Sequence, residues 1–451
     1  MTLDTLTLRL QHHIDQKDYT TGTVLLNDIP AVDAASVLNA TPLTAAWKLL
    51  STLSTNRKAS VFGHLRPSTQ ADMARLMSRK ELALLFEAME HDERADLYNR
   101  LSESERQALL PGLAHAERED IRQLASYPEG TVGSVMTSAY VALQADQTVA
   151  QALDTIRLEA PDMETIYQAY VLDQSRHLVG TLSLRDLILA VPTMMIEQIM
   201  VKEVIQSQAH APRTEATRQI AHYDLIAVPV VNEAGQMVGI VTHDDALDVT
   251  QEESTDDQLR LGAVGRLAVS LKDASIGALY RTRVGWLVIL VFGNIFSGAG
   301  IAHFESLIES LVALVFFLPL LVDSGGNAGS QSATLMVRAM ATGEIVAKDW
   351  VQMLGKEIVV ALLLGLSMAL AVSLIGFVRA GPEVALVVSI TMVIIVLVGS
   401  VIGMLLPFLL TRFKLDPASA SAPLITSICD GVGVLIYFNI ANLMLVLPDA
   451  V

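Results

Sequence analysis

The chain has 451 residues, of which 52% are hydrophobic and 18% charged, and a formal net charge of −17. Together with a mean hydropathy of +0.45, this composition excludes an ordinary soluble protein. The acidic balance argues against a nucleic-acid partner and favours cations, and a single cysteine, Cys429, excludes a disulfide framework within one chain.

Charge and apolar residues are unevenly distributed along the chain. Up to Arg283 there are 38 Asp and Glu against 25 Lys and Arg, whereas from Val284 onward there are 10 against 6. A soluble acidic part of net charge −13 therefore precedes a membrane part. The N-terminal residues MTLDTLTLRLQHHIDQKDYTTG contain no basic-then-apolar signal peptide, so we expect the soluble part to stay in the cytoplasm.

Residues 1–127 are predicted to form an all-helical domain. In ELALLFEAMEHDERADLYNRLSESERQALLPGLAHAEREDIRQLA the apolar residues recur at steps of three and four, which is typical of short amphipathic helices. Ser102 begins an S-x-x-E capping box, which predicts a helix start there.

Residues 128–250 contain an internal repeat. AYVLDQSRHLVGTLSLRDLI, from residue 169, aligns without a gap at a spacing of 59 with VPVVNEAGQMVGIVTHDDAL, from residue 228. The aligned pairs include Val171 with Val230, Gly180 with Gly239, and Asp186 with Asp245. Each copy predicts two strands around a polar turn, followed by an acidic residue at a helix N-terminus. With VGSVMT before the first copy, the pattern resembles a CBS-domain pair, which implies mixed sheets packed with helices and a cleft that commonly binds adenine nucleotides.

Residues 251–283 are polar and helix-compatible, and we expect a long connecting helix that leads into the membrane. The overlapping stretch THDDALDVTQEESTDD is rich in acids and has no Lys or Arg. Such a run can be a solvated helix face, but like charges at helical spacing repel each other. Docking this surface onto another acidic domain would therefore require divalent cations, which favours a sensor.

Residues 284–451 are predicted to form a five-helix transmembrane domain. The apolar stretches cover residues 284–302, 307–340, 358–378, 384–410 and 419–447, and each has about the 20 residues that a span requires. Basic residues precede the first stretch and follow the second and fourth, namely Arg281, Arg283, Arg338, Lys348, Lys356, Arg412 and Lys414. The positive-inside rule then places the N-terminus in the cytoplasm and the C-terminus outside.

The second apolar stretch contains a polar stripe. Asp323, Asn327 and Gln331 lie at four-residue steps, on one face of a helix, among small residues. Small residues alone predict close helix packing. An acid and two amides on the same face favour a water-lined wall at a helix interface.

Asp430 is the only charged residue between Asp416 and Asp449. A carboxylate in the middle of a span costs about 2.5–3.5 kcal/mol, which must be offset. A protonated or hydrogen-bonded carboxyl and a proton relay are alternatives, but a cation ligand accounts for the charge directly. In a symmetric dimer two copies of Asp430 would face one axis, and a site with few carboxylates and much water suits hydrated Mg²⁺.

The domain order and the stretch GGNAGSQSATLMVRAMATGE resemble the MgtE family of magnesium channels. The resemblance covers nearly the whole chain. It implies a homodimer in the lipid of a bacterial inner membrane, with a pore on the dimer axis lined by the second and fifth membrane helices. The cytosolic domains would sense Mg²⁺, and the connecting helix would act as a plug.

The resemblance also implies roles for individual residues. Asp430 falls on the pore aspartate, with Thr426 one turn earlier and Ala422 where the family often has asparagine; Asn327 and Gln331 complete the predicted pore set. The predicted sensor acids are Asp92, Asp96, Asp224, Asp245, Asp248, Asp256 and Asp257, together with Asp416 at the cytoplasmic mouth. Arg185 and Asp186 match ATP-contacting positions, although Gln168 replaces a family tyrosine and Asp186 also fits a helix cap.

We therefore expect an Mg²⁺-selective channel that closes as cytosolic Mg²⁺ rises, with Mg²⁺ as its ion and ATP as a possible regulator. The alternatives are a proton- or sodium-coupled divalent cation exporter and a non-conducting, membrane-anchored nucleotide sensor. We do not expect an enzyme, because no nucleophile with a base, phosphate loop or metal-hydrolase spacing stands out.

Overall fold

The computed structural model describes residues 3–16, 18–265, 271 and 274–445. The chain divides into two compact units, Met1–Glu252 and Glu253–Val451. An all-helical region, two copies of an α/β module and a region of apolar helices follow one another in the predicted order.

Among the described residues, the N-terminal region contains ten α-helices: α1 (Leu3–Asp15), α2 (Tyr19–Asn27), α3 (Ala31–Asn39), α4 (Leu43–Ser51), α5 (Thr55–Gly63), α6 (Pro67–Leu76), α7 (Arg79–Ala88), α8 (His91–Arg100), α9 (Glu103–Leu109) and α10 (His115–Leu124). Their apolar faces meet in one core that includes Leu10, Leu38 and Phe62. The predicted capping box at Ser102 is confirmed, because its backbone N–H donates to the Glu105 carboxylate at 2.7 Å.

The two repeats build two three-stranded sheets of the same topology. The first contains β1 (Tyr140–Leu143), β2 (Thr165–Leu172) and β3 (Leu178–Ser183), and the second contains β4 (Ser207–Gln208), β5 (Ala227–Val231) and β6 (Met237–Thr242). In each sheet the first pair of strands is parallel and the second pair antiparallel. The associated helices are α11 (Val149–Glu159), α12 (Leu184–Leu189), α13 (Ile196–Ile199), α14 (Arg213–Tyr223) and α15 (His243–Leu261).

Strand register confirms the predicted repeat. Val171 pairs with Gly180 in the first sheet, and Val230 pairs with Gly239 in the second, so the aligned residues hold equivalent positions. The copies also exchange backbone bonds: Thr137, before the first sheet, bridges to Ile240 in β6, and Thr181 in β3 bridges to Val201 before the second sheet. The pair is therefore a single interlocked body.

The connecting segment differs from the predicted continuous helix over residues 251–283. α15 starts inside the second repeat and ends at Leu261. Gly262 follows the helix, and Ala263 has a left-handed φ of 54°, which does not continue a right-handed helix. The next described helix, α16 (Ile276–Gly293), starts after a Ser275 cap. Part of the intervening segment, residues 266–270 and 272–273, lies outside the described residues.

The second unit continues with α17 (Ile295–His303), α18 (Glu305–Ser310), α19 (Ala313–Ala341), α20 (Trp350–Arg412) and α21 (Ala422–Met444). By length and composition, three helical runs in the described part of the chain could cross a membrane: Ile276–His303, Trp350–Arg412 and Ala422–Met444. α20 has 63 residues, about 95 Å of helix and three times a hydrocarbon core, but it is interrupted by the non-helical Gly381. α19 has 29 residues and carries the polar stripe, so five long helical segments correspond to the five predicted spans.

Several predicted span limits are displaced. The second predicted stretch covers residues 307–340, but the chain breaks at Leu311 and α19 starts at Ala313. The third starts at Trp350 rather than residue 358. The fifth predicted stretch covers residues 419–447, whereas α21 starts at Ala422, where the Ser421 hydroxyl caps it. Residues 446–451 lie outside the described part of the chain.

Glycines bring α19 and α20 into backbone contact. A Cβ on Gly403 would overlap the carbonyl oxygen of Gly329, and one on Gly399 would overlap that of Gly325. Close packing through small residues is the main way in which membrane helices associate. α19 therefore has both predicted features of the glycine-rich stretch: the glycines pack against α20 on one side of the helix, and the polar residues lie on another side.

Candidate functional site

The exposed face of α19 changes character along its length. Near its start the exposed side chains are apolar, including Val315 and Phe316, whereas Asp323, Asn327 and Gln331 are exposed further along. The Asn327 Nδ2 donates to Asp323 Oδ2 at 3.1 Å, as expected for a four-residue step. The predicted stripe is therefore one exposed polar face on a helix that begins with apolar residues.

α21 packs beside this face and carries the other predicted pore residues. Ala422, Thr426 and Asp430 are each partly exposed and follow one another at four-residue steps. A Cβ on Gly326 would lie 3.1 Å from the Thr426 methyl group, so the helices approach closely at this level. The structure thus places Asn327, Gln331, Thr426 and Asp430 on two neighbouring helices.

The first unit holds an acidic cluster between the helical domain and the repeats. Carboxylate oxygens of Glu90, Asp92 and Glu164 lie within 4.8 Å of one another, an arrangement that could hold a metal ion. Burial and neighbouring Glu90 raise the pKa of Asp92 to about 6 and that of Glu164 to about 8. Burial and neighbouring Asp92 raise the pKa of Asp245 to about 7. An all-oxygen donor set of this kind suits Mg²⁺ or Ca²⁺ rather than a transition metal.

Glu93 adds a further acid beside this cluster. Burial and neighbouring Glu90 raise its pKa to about 9. Its carboxylate packs on Gly63 in α5, where any Cβ would overlap it. The helical domain therefore presents several carboxylates to the repeats at a substantial electrostatic cost.

A polar clasp joins the same two regions. His91 Nδ1 lies 2.7 Å from Asp120 Oδ2 and 2.9 Å from the Ser138 hydroxyl, and that hydroxyl donates to the other Asp120 oxygen. His91 and Asp120 belong to α8 and α10, whereas Ser138 precedes β1. The clasp holds α8, and with it Asp92, next to the first repeat.

The remaining predicted sensor acids of the first unit are dispersed. Asp96 is half exposed and pairs with Arg100 at 3.0 Å. Asp224 is exposed at the end of α14 with a left-handed φ of 52°, and Asp248 is exposed on α15. The structure therefore brings Asp92 and Asp245 into the acidic cluster and leaves Asp96, Asp224 and Asp248 on the surface.

The predicted mouth residue Asp416 has a partner of its own. Its Oδ2 forms an ion pair with Arg260 of α15, and its Oδ1 accepts from the Ala418 backbone N–H at 2.8 Å. Leu261 packs on the neighbouring apolar cluster of Ala333, Ile425 and Cys429. The end of α15 is thus held beside Asp416 by an arginine as well as by apolar contacts.

Two further predicted sensor acids lie on α15. Asp256 is buried, and burial together with neighbouring Glu253 raises the pKa of Asp257.

Arg185 and Asp186 are exposed at the start of α12. The Asp186 carboxylate accepts from the Ser183 hydroxyl at 2.6 Å and from its backbone N–H at 3.0 Å, which is the cap that the sequence also allowed. Gln168 donates to the Thr181 hydroxyl at 2.6 Å.

The sequence analysis missed Glu90, Glu93 and Glu164. The first two flank Asp92 in MEHDERAD, within one helical turn, and this proximity could have identified them. No local sequence pattern links Glu164 to Glu90 and Glu93, because only the tertiary structure brings Glu164 into the acidic cluster.

An all-helical domain, an α/β pair and a bundle of apolar helices with an ionisable polar face together define a multi-domain membrane protein. Models of known families match each part: the intracellular N domain of MgtE over residues 29–130, CBS domains over 132–193 and 196–252, and the MgtE divalent cation transporter over 318–440. The predicted CBS pair is confirmed.

Curated relatives and a solved structure agree with these matches. The magnesium transporter MgtE of Thermus thermophilus is 42% identical over 327 residues, 72% of each chain, and that of Bacillus subtilis is 34% identical over 323 residues, 71% of each chain. The crystal structure of the cytosolic domain of the Mg²⁺ channel MgtE in complex with ATP is 33% identical, with a TM-score of 0.52, over 54% of this chain and 99% of that one. The chain belongs to the MgtE family of magnesium transporters, as its sequence resemblance predicted.

Proposed function

We propose that the protein is an Mg²⁺-selective channel that takes up Mg²⁺ along a path lined by α19 and α21. The observation that carries the proposal is the exposed polar face of α19 beside α21, the apolar helix that carries Asp430. Ionisable groups within membrane spans are costly and face a bundle interior or a water-filled path. A second copy of the chain across this face would cover it, which supports a homodimer with the path on its axis.

Asp430 is the ion ligand of this proposal, with Thr426, Ala422, Asn327 and Gln331 lining the path near it. Mg²⁺ loses its water reluctantly and usually binds one or two carboxylates together with several waters. Uptake needs no coupled fuel, since a divalent ion crossing 100 mV inward gains about 4.6 kcal/mol. The positive-inside arrangement of Lys and Arg supports a cytoplasmic N-terminus and an outside C-terminus in a bacterial inner membrane.

Closure by cytosolic Mg²⁺ is the regulatory half of the proposal. Glu90, Asp92 and Glu164 meet where the helical domain contacts the repeats, and Asp245 is close enough to Asp92 for their charges to interact. At neutral pH their repulsion opposes this contact, and bound Mg²⁺ removes it. High Mg²⁺ therefore favours the docked, closed arrangement, and low Mg²⁺ favours separation and opening.

At the mouth, the Arg260–Asp416 pair supports a role for α15 in closure. Because an arginine already neutralises Asp416, this contact does not require an ion. We assign Mg²⁺ sensing to the acidic cluster and to Asp256 and Asp257, and the closing contact to the end of α15. ATP is a regulator in this proposal, with Arg185 and Asp186 as its contacts, because the related cytosolic domain was solved with ATP.

The test is Mg²⁺ flux into liposomes containing the full chain, reported by an internal magnesium dye at fixed voltage. Asp430→Ala should reduce flux to the background of empty liposomes while leaving the size of the purified protein unchanged. Asn439→Ala is the matched control, since Asn439 is exposed on α21 about 180° around the helix from Asp430. Unchanged flux in Asp430→Ala contradicts the proposal, and flux that requires a pH or sodium gradient favours a coupled exporter.

A further inference from the structure

A second carboxylate, that of Asp323 on α19, lies at the same level as Asp430 on α21. α19 and α21 run antiparallel: Val322 contacts Gly433, Gly326 contacts Thr426, and the Ser330 hydroxyl reaches the Ala422 carbonyl oxygen at 3.5 Å. Asp323 lies between the first two contact positions on α19, and Asp430 lies between them on α21. The two carboxylates are therefore at the same depth.

Glycines keep the space between the helices narrow at this depth. A Cβ on Gly433 would lie 3.5 Å from a Val322 methyl group, and one on Gly326 would lie 3.1 Å from Thr426. Larger residues at these positions would push the helices apart. Asp323 is exposed and Asp430 is partly exposed beside this close approach of the helices.

Asn327 holds the second carboxylate in place. Its Nδ2 donates to Asp323 Oδ2 at 3.1 Å, one turn further along the same exposed face. This amide fixes the orientation of the carboxylate but supplies no positive charge. No Lys or Arg occurs in α21, and Arg338 of α19 lies about four helical turns beyond Asp323, so neither helix offers a cation at this depth.

Two like charges at one depth of a membrane-spanning helix pair are costly without a counter-charge. A hydrated divalent cation offsets both charges and reaches each carboxylate through its own waters. We propose that Asp323 is a second carboxylate of the Asp430 ion site and sets the affinity of that site for hydrated divalent cations. The inference rests on the proposed function, because it takes Asp430 as the ion ligand. In a dimer, the site would then contain two pairs of carboxylates.

The test measures how Mg²⁺ flux saturates with external Mg²⁺ in liposomes containing the full chain. Asp323→Asn keeps the size of the side chain and removes its charge. One charge acting on a divalent ion about 6 Å away in a water-like medium corresponds to roughly a tenfold change in binding. We therefore expect the half-saturating Mg²⁺ concentration to rise about tenfold, while Asp323→Glu stays within about twofold of the unchanged protein.

Ser324→Ala is the matched control, because Ser324 occupies the same turn and its hydroxyl bonds only within the helix, to the Leu320 carbonyl at 2.6 Å. Unaltered saturation in Asp323→Asn, with flux still lost in Asp430→Ala, overturns this inference and leaves the channel intact. An equal rise in the half-saturating Mg²⁺ concentration in Asp323→Asn and Asp323→Glu also overturns it, because the size of the side chain rather than its charge would then matter. Retained flux in Asp430→Ala overturns the channel proposal itself.

Discussion

Glu164 is the acid of the cluster that comes from the repeats and faces Glu90 and Asp92 of the helical domain. Replacing it with glutamine removes one charge and keeps the size of the side chain. In the docked arrangement, burial first and then Glu90 and Asp92 raise the pKa of Glu164 from 4.5 to about 8. At pH 7.5 this shift corresponds to an upper limit of about 4 kcal/mol opposing the docked state. Because the side chain is partly exposed and its surroundings can relax, we expect about a quarter of that, ~1 kcal/mol or roughly fivefold in the docking equilibrium.

The sign of the pH dependence follows from the raised pKa. Below pH 4.5 the carboxyl is protonated in both the docked and the separated states, so it imposes no penalty. As the pH rises towards 8, only the separated state can ionise freely, and docking becomes less favourable. Glu164→Gln should therefore match the unchanged protein near pH 5 and dock more tightly at pH 7.5–8.

The assay is hydrogen exchange of α8 in the purified full chain, with EDTA or with Mg²⁺, expressed as protection factors to correct for the intrinsic effect of pH. In EDTA at pH 7.5, Glu164→Gln should protect α8 about fivefold more than the unchanged protein, and the extra protection from Mg²⁺ should shrink. Glu203→Gln, an exposed acid in the repeats, is the control and should change neither value. Lower protection in EDTA, or an undiminished effect of Mg²⁺, would refute the reasoning.

Two further predictions concern the mouth and the nucleotide. Arg260→Glu or Asp416→Arg alone should raise liposome flux at high internal Mg²⁺ about two- to fivefold, which corresponds to the loss of a half-exposed ion pair. The double variant, in which the two charges are exchanged, should restore closure. A double variant that leaks as much as either single variant would contradict a role for the ion pair. Arg185→Ala should weaken ATP binding by the full chain at least tenfold in calorimetric titration, because a hydrogen bond to a charged group is lost. Arg157→Ala, which changes an exposed arginine of α11, should leave the affinity unaltered. Equal affinities of the two variants for ATP would show that ATP does not bind at Arg185.

Local patterns predicted the repeat and the polar stripe well. The spacing of 59 placed Val171 and Val230 in equivalent ladder positions, because side-chain alternation fixes strand register once one face is buried. The four-residue step placed Asp323 and Asn327 within hydrogen-bond distance, because that step returns to the same face of a helix.

Helix ends and long-range partners were harder to predict. Uninterrupted apolar sequence does not mark where a helix starts, so the Ser421 cap and the break at Leu311 were missed. The break at Gly381, by contrast, falls in the predicted gap between residues 378 and 384. The pairing of Arg260 with Asp416 and the approach of Glu164 to Asp92 depend on tertiary structure, which brings together residues far apart in the chain. The sequence places Asp323 on the polar stripe, but whether it lies at the same depth as Asp430 depends on how α19 and α21 pack.

The central claim is conduction of Mg²⁺ that internal Mg²⁺ shuts off. Current recorded from inside-out patches containing the full chain, with external Mg²⁺ fixed and the internal concentration graded, tests both parts together. We expect an inward Mg²⁺ current that falls to the baseline as internal Mg²⁺ rises, and a higher concentration for half-closure when Asp92 and Glu164 are both neutralised. A current that ignores internal Mg²⁺, or the lack of any current while Mg²⁺ still accumulates in liposomes, would contradict the account.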